Sequence, residues 1–443
     1  MRPVLIACAL ALGGCASFPD AGAPIRASQL TPAGASSWTY DLGDPAFAAY
    51  LVRADIDSLD VKGALARARA ADAGLRGAQA ERWPELTLGV DGSRRMPAEG
   101  RSSGQADLDL GARWTADLWG AVRGGADAAD ADAKAARLDV QAARAILAAE
   151  AARTWLILSA HDDRLARLDN RWRIEAEGLR LAERRLAAGR AGREEKLERQ
   201  ANLARIEDDR RAAEGERMVA MQRLVALAGT SSAPVGAAAA LAGLKPLALF
   251  EVQPASLEAR PDVAAAAARL AAADARRLTA IKEARPRLVL TAGFKSDGAE
   301  ISDLFSRSRL VFTPGLRAEG ALLDGGRARA RADKAAAEAA QAEVGYLKAI
   351  VAAESELAAA FAQLQAAERR QAPSKAGLDY ARERLAIARL RLQAGTLARL
   401  DAIDAERSVF EAEDAQAAAR RSLIEASIAT HAAIVGASAL QAP

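Results

Sequence analysis

Aromatic side chains are scarce in this chain: Phe, Trp and Tyr make up 4% of its 443 residues. So few bulky groups cannot fill a thick globular core, and the abundant alanine points instead to long helices packed in thin layers. Histidine is limited to His161 and His431, each inside a helical pattern and without metal-ligand spacing nearby, so neither a metal nor a cofactor is expected. Beyond the N-terminal segment no run approaches the roughly 18 to 20 apolar residues of a spanning helix, so any membrane crossing has to be made of strands. An excess of one charge is also missing. The 61 basic and 58 acidic residues are interspersed and sum to +3, which excludes the strong positive field of a nucleic-acid binder. No nucleophile elbow is present, and "LLDGGRARA" (322–330) lacks the Lys-Ser/Thr of a phosphate-cradling loop. An enzyme is therefore not expected.

The N-terminus speaks about compartment. "MRPVLIACALALGGCAS" places Arg2 before an apolar run and then Leu12-Gly13-Gly14-Cys15, the pattern of a bacterial lipoprotein signal with small residues before the cut. The expected product is a chain acylated at Cys15. Cys8 would leave with the signal, and the single remaining thiol permits no disulfide framework and no Cys-based metal site. Ala16 follows the cysteine where inner-membrane retention would favour Asp, a likeness to lipoproteins sorted to the outer membrane.

The rest of the chain is written twice. Gly189 in "RLAAGRAGREEKLE" and Gly395 in "RLQAGTLARLDAID" lie 206 residues apart (395 − 189). Leu158, Leu165, Trp172, Leu179 and Leu186 recur every seven positions, and Leu378, Leu385 and Leu392 repeat the last three at the same offset, a coiled-coil register shared by two long helices of about 100 Å. Pro373 falls inside the second, where a kink or local unwinding is expected. Shorter helices are read from about Leu59 to Arg82, Glu194 to Ala228, Pro261 to Ala284 and Leu400 to Val435. Two hairpins, 86–118 and 288–322, show period-2 alternation: Leu108, Leu110, Ala112, Trp114 and Ala116 alternate with Asp107, Asp109, Gly111, Arg113 and Thr115. An apolar face opposite a charged one suits a membrane barrel wall with a wet lumen, although four strands cannot close a barrel alone. The reading divides the chain into a signal (1–14), an anchor and linker (15–58), a first repeat (59–228) and an equatorial linker (229–259). A second repeat (260–436) and a tail (437–443) follow.

The order helix, hairpin, long helix, glycine turn, helix, written twice, resembles the outer-membrane efflux channels of the TolC and OprM type, in particular their lipid-anchored, NodT-like members. The likeness spans nearly all of the chain after the signal and is carried by "DLWGAVR" (117–123), "RPDV" (260–263), "PGLRAEGALLDGGRARA" (314–330) and "AGTLARLDAIDA" (394–405). It implies a mainly α fold with a small β part: a long coiled-coil helical barrel plus four strands per protomer, forming a trimeric twelve-stranded transmembrane β-barrel. It further implies an outer-membrane channel that works with a periplasmic adaptor and an inner-membrane pump. The glycine turns 187–193 and 394–399 would then be periplasmic tips, with Gly189, Arg190, Gly395 and Thr396 meeting the adaptor. Asp401 and Asp404 match the paired aspartates that line a closed pore entrance, and Glu195 loosely matches a partner carboxylate of the gate. Leu392 and Leu397 stand where basic and aromatic gate partners occur in related channels. The alternative reading is a lipid-anchored periplasmic adaptor or scaffold, which would carry one coiled-coil hairpin between β-rich halves.

Overall fold

The structure, a computed structural model, describes residues 42–95, 103–230, 241–247, 255–298 and 310–435. Cys15 and the tail 437–443 lie outside the described residues. The elements run α1 (Pro45–Asp57), α2 (Leu59–Ala80), β1 (Glu85–Arg95), β2 (Ser103–Ala116), α3 (Ala121–Ala187) and α4 (Arg193–Leu227). Then come α5 (Ala255–Glu258), α6 (Pro261–Lys282), β3 (Arg287–Gly298), β4 (Val311–Glu319), α7 (Arg327–Gln393) and α8 (Arg399–Val435). The long helices α3 and α7 have 67 residues each and start 206 positions apart (327 − 121), as α4 and α8 do (399 − 193). By contrast α2 and α6 start 202 apart (261 − 59). The second hairpin absorbs the difference of four residues.

Two long helices thread two layers. In one layer α2, α3, α6 and α7 lie side by side, and in the other α4, α3, α8 and α7 do so. Small residues set the spacing: Ala64 and Ala68 of α2 meet Val140, and Ala135 and Leu138 of α3 meet Ala265 and Ala268 of α6. Bulk is concentrated where the layers join. There Trp155 packs on Phe47 and Tyr50 at ring-centroid distances of 5.5 and 5.8 Å, together with Leu156, Leu158, Leu224, Ile424 and Ile428.

Within the segment 15–58, read as anchor and linker, residues 45–57 form a helix that packs into that junction. Helix α1 supplies Phe47, Tyr50, Leu51 and Ala54 to the core, a spacing of three, four and seven that buries one helix face. The Asp44 carboxylate caps α1 by accepting from Ala46 N at 2.9 Å, Pro45 occupies the first helical position, and the other Asp44 oxygen accepts from Trp155 Nε1 at 2.8 Å. The described part of the equatorial segment is packed as well. Leu241, Leu244 and Leu247 are buried, and Arg420 donates to the carbonyls of Leu241, Ala242 and Leu244 at 2.8–3.1 Å.

Two other expectations change. Pro373 lies within an uninterrupted α7; one missing backbone bond does not unwind a helix held at that level against α8, where Gln371 donates to Ala419 O at 2.8 Å. In α3 the more buried heptad row near the tip is His161, Leu168, Glu175 and Ala182, whereas Trp172 is 40% exposed. The leucine row follows apolarity, but the seam facing α4 and α8 is narrow and is filled by small and charged groups.

The four strands form one antiparallel sheet in the order β1-β2-β3-β4. Its register aligns Leu88, Leu110, Phe294 and Phe312 in one row, and Trp114, Leu290 and Leu316 in another. Phe294 and Phe312 stack with centroids 4.7 Å apart. The opposite face carries Glu85, Arg113, Thr291 and Gly315 in one row and Asp109 with Lys295 in another, the latter pair bridged at 3.1 Å. Leu88, Leu110, Phe294 and Phe312 of the first row, and Trp114, Leu290 and Leu316 of the second, are exposed in the single chain. A sheet with one largely apolar and one largely polar face, each with exposed side chains, is built to stand between lipid and water.

At the foot of the sheet each long helix begins on a left-handed glycine, Gly120 (φ 74°) and Gly326 (φ 86°). A carboxylate from the preceding bend caps it. Asp117 accepts from Val122 N and Arg123 N at 3.1 and 2.9 Å, and Asp324 accepts from Gly326 N and Ala328 N at 2.9 and 2.7 Å. Trp114 and Trp119 donate their indole N–H to the carbonyls of Arg82 and Pro286, and Arg285 lies 5.0 Å over the Trp119 ring. Such amphipathic rings mark a membrane surface.

The face assignment is testable. Cysteines placed at Leu110, Trp114 and Phe312 are expected to react with lipid-phase reagents, and one at Arg113 with aqueous reagents. Leu110→Arg is expected to lower barrel stability by about 2 to 4 kcal/mol, against little change for substitutions of Arg113. Urea unfolding from detergent or vesicles measures both.

Candidate functional site at the two helical tips

Each hairpin of helices ends in the same turn. Gly189 adopts φ 66° and Gly395 φ 71°. Gly189 N donates to Leu186 O at 3.0 Å and Arg190 N to Arg185 O at 2.8 Å; Gly395 N donates to Leu392 O at 3.0 Å and Thr396 N to Arg391 O at 2.9 Å. This paired pattern closes the last carbonyls of a helix and needs a residue without a Cβ at the left-handed position. The segments after the turns also correspond. Subtracting 206 from Arg399, Asp401 and Asp404 gives Arg193, Glu195 and Glu198, so both tips carry a base and two acids at one spacing.

The two copies use these positions differently. Glu195 accepts from Arg185 at 3.2 Å within its own hairpin, and it does not meet Asp401 or Asp404. Asp401 is exposed in the first turn of α8, without an ion pair among the described residues. Asp404 is 45% exposed and accepts from Arg199 Nη2 of α4 at 2.9 Å. Arg199 in turn reaches the buried Glu175 of α3 at 3.3 Å, and Asn202 donates to the same carboxylate at 3.1 Å. Burial opposes charge on Arg199, but the Asp404 hydrogen bond and the fields of Asp404 and Glu175 outweigh it and raise its proton affinity.

A second cluster lies beside the first. Arg399 grips Glu177 of α3 with two bonds of 2.8 and 2.9 Å and donates to Glu406 at 3.1 Å. The bond to Arg399 holds the Glu177 carboxyl below the usual carboxylate range, and the same bond pushes the Arg399 guanidinium up. Arg199 ties α4 of the first repeat to α8 of the second, and Arg399 ties α8 to α3, at the end of the molecule farthest from the sheet. Sequence reasoning looks for a basic partner at Leu392 and Leu397 and misses both arginines. Arg199 pairs over 205 residues and Arg399 over 222, separations with no local pattern. Only the correspondence of Arg399 with Arg193 is legible along the chain.

The outer membrane efflux protein family model matches residues 51–230 and 253–434. The outer membrane protein OprJ of Pseudomonas aeruginosa is 32% identical over 360 residues, covering 77% of this chain and 74% of OprJ. The pyoverdine export outer membrane protein OpmQ of Pseudomonas putida is 28% identical over 395 residues, 86% of this chain and 83% of OpmQ. Among solved structures, the outer-membrane channel OprN superposes with a TM-score of 0.79 at 26% identity, covering 94% of this chain and 97% of OprN. The fold is that of the trimeric channels of the TolC type, proteins that conduct and do not catalyse. The chain belongs to the outer membrane efflux protein family and is an outer-membrane efflux channel.

The clusters predict distinct energetics. Arg199→Met strips the buried Glu175 of its counter-charge and is expected to destabilise by about 3 to 5 kcal/mol, whereas loss of the half-exposed Asp404 partner costs about 1 kcal/mol or less. Chemical denaturation of the two variants decides this. The Glu177–Arg399 clasp is complete above the ordinary carboxylate range and is lost as pH falls through the depressed Glu177 value. Glu177→Gln is therefore expected to lower the melting temperature at neutral pH, with the gap to the parent closing in acid.

Proposed function

We propose that three copies of this chain form the outer-membrane duct of a tripartite efflux or export system, passing small molecules from an inner-membrane pump and a periplasmic adaptor to the outside. One observation carries the reading. The sheet has an apolar face, a charged face and two outer strands, β1 and β4, with no partner among the described residues. In hydrocarbon an unpaired strand edge leaves several kcal/mol per backbone group unsatisfied. Four strands are too few to curl shut, whereas three copies supply twelve. The adaptor or scaffold reading has no use for such a sheet.

The glycine tips around Gly189, Arg190, Gly395 and Thr396 are the adaptor-contacting points, one per repeat. Asp401 and Asp404 line the entrance, where threefold symmetry brings six carboxylates around one axis, with Arg199 holding Asp404 in the closed arrangement. Glu195 serves within its own hairpin. The chain is anchored by acyl groups on Cys15 after removal of residues 1–14, while the strands do the spanning. No nucleic acid takes part.

Purified protein in planar bilayers is expected to give stable single-channel steps; absence of conductance from a correctly assembled trimer would exclude a duct. Replacing Asp401 and Asp404 together with alanine is expected to lower cation preference, read as reversal potential across a salt gradient, and to weaken block by multivalent cations. Cys15→Ser is expected to abolish labelled fatty-acid incorporation but leave the protein in the outer membrane.

A further inference from the structure

His161 stands where the apolar junction gives way to the arm of helices that ends at the tips. Above it α3 buries Trp155, Leu156 and Leu158 in the junction, and below it the contact of α3 with α4 continues through the smaller cluster of Leu168, Ile206 and Ala213. The end of α3 lies 26 residues further on (187 − 161), about 40 Å of helix. The imidazole is 8% exposed, with Nε2 3.4 Å from Glu216 Oε2 of α4. Its Nδ1 is buried and has no hydrogen-bond partner among the described residues. A neutral ring with its proton on Nε2 leaves only a lone pair unmet at Nδ1. A charged ring carries hydrogen on both nitrogens, and the second donor then has no acceptor inside the packed seam.

We propose that His161 is a proton-operated joint: once it is charged, α3 loosens from α4 and α8 at this level so that water reaches Nδ1–H, and the arm below moves more easily. Charged neighbours act in both directions. Glu216 on α4 favours the proton, as does Asp162 on α3, which Arg217 of α4 already engages. Arg421 on α8 and Arg164 on α3 oppose it; Arg164 is held by Asp209 of α4 at 3.3 Å, and Arg421 lies 3.9 Å from Glu425. Asp163 is turned to the equatorial segment, where it accepts from Leu241 N at 3.0 Å. Burial is the largest influence, and with the two arginines it pushes the imidazole below the usual histidine value, an effect that the two acids only partly offset. A depressed folded value leaves the joint intact above the unfolded value of about 6.5. Its stability is then lost as pH falls from there through the folded value. In the proposed duct the arm carries the entrance, so acid eases opening; that step rests on the duct reading, and the joint does not.

Hydrogen–deuterium exchange of the purified assembly at neutral and mildly acid pH, corrected for the intrinsic pH dependence, tests the joint. In the parent, protection of residues 155–168 and 210–220 is expected to fall by up to about tenfold per pH unit below about pH 6.5, the limit for one linked proton. His161→Gln offers an N–H in place of the ring and cannot charge, so its protection should change little over the same range, whatever its level at neutral pH. Glu216→Gln keeps the histidine and removes a field that favours its charge, so the loss should extend to lower pH. In planar bilayers a conducting parent should open more often in acid, and His161→Gln should not. An equal acid loss of protection in the parent and His161→Gln, or opening that ignores pH in a conducting parent, would overturn the proposal. Exchange that responds in a protein that never conducts would count against the duct and support the joint.

Discussion

A strand edge cannot stand open in hydrocarbon, and much of the molecule follows from that constraint. Each repeat contributes one hairpin, the two hairpins pair through β2 and β3, and β1 and β4 are left as the outer strands. Closure therefore falls to further copies of the chain. The register from Glu85 to Glu319 keeps apolar rows on one face and charged or glycine-threonine rows on the other, so the same pairing that meets backbone hydrogen bonds also separates lipid from water. At the foot of the sheet the backbone turns sharply into helix. Gly120 and Gly326 supply the left-handed conformation, and Asp117 and Asp324 occupy the amides that the turn exposes.

Below the sheet the architecture is a thin wall, and thin walls are made with alanine. Layers of helices such as α2, α3, α6 and α7 approach closely because Ala64, Ala135, Ala265 and their neighbours carry no bulk. Apolar burial per residue is correspondingly modest. The exception is the junction where α1, the middle of α3, the end of α4 and the end of α8 meet, with Trp155, Phe47, Tyr50 and Leu224 fully or nearly fully buried. Tyr50 donates to Leu224 O at 2.7 Å there. Stability is thus concentrated midway along the chain's long dimension, and local opening is cheapest far from it.

The tips hold together by a different means. Beside the fully buried Ile403, which packs at Gly178, the two repeats are joined by Arg199 with Glu175 and Asp404, and by Arg399 with Glu177 and Glu406. Only the Arg199–Glu175 pair is deeply buried; the others are partly wet, and partly wet ion pairs contribute little net stability and are screened by salt. In the first repeat the engaged acid is Glu195, held within its own hairpin by Arg185, whereas in the second it is Asp404, the equivalent of Glu198, which turns toward the neighbouring hairpin. The two copies of the unit thus pair different members of the same two positions.

The sequence by itself determined the local and periodic features. Alternation around Trp114 defines a strand with two unlike faces, the glycines at 189 and 395 define turns that only a residue without a Cβ adopts freely, and the offset of 206 ties α3 to α7 through residue spacing alone. These are set by geometry within a few residues and survive any packing. Helix α1 is also written locally, in Asp44, Pro45 and the spacing of Phe47, Tyr50 and Leu51, but the glycines and prolines just before it make the whole stretch read as a linker. Tertiary structure alone decided which heptad row of α3 is the seam, because apolarity favours Trp172 whereas the neighbours of α3 favour Leu168 and Glu175. It alone gave Asp404 its partner as well. An ion pair between residues 205 positions apart depends on where two helices cross, and no pattern along one chain encodes a crossing.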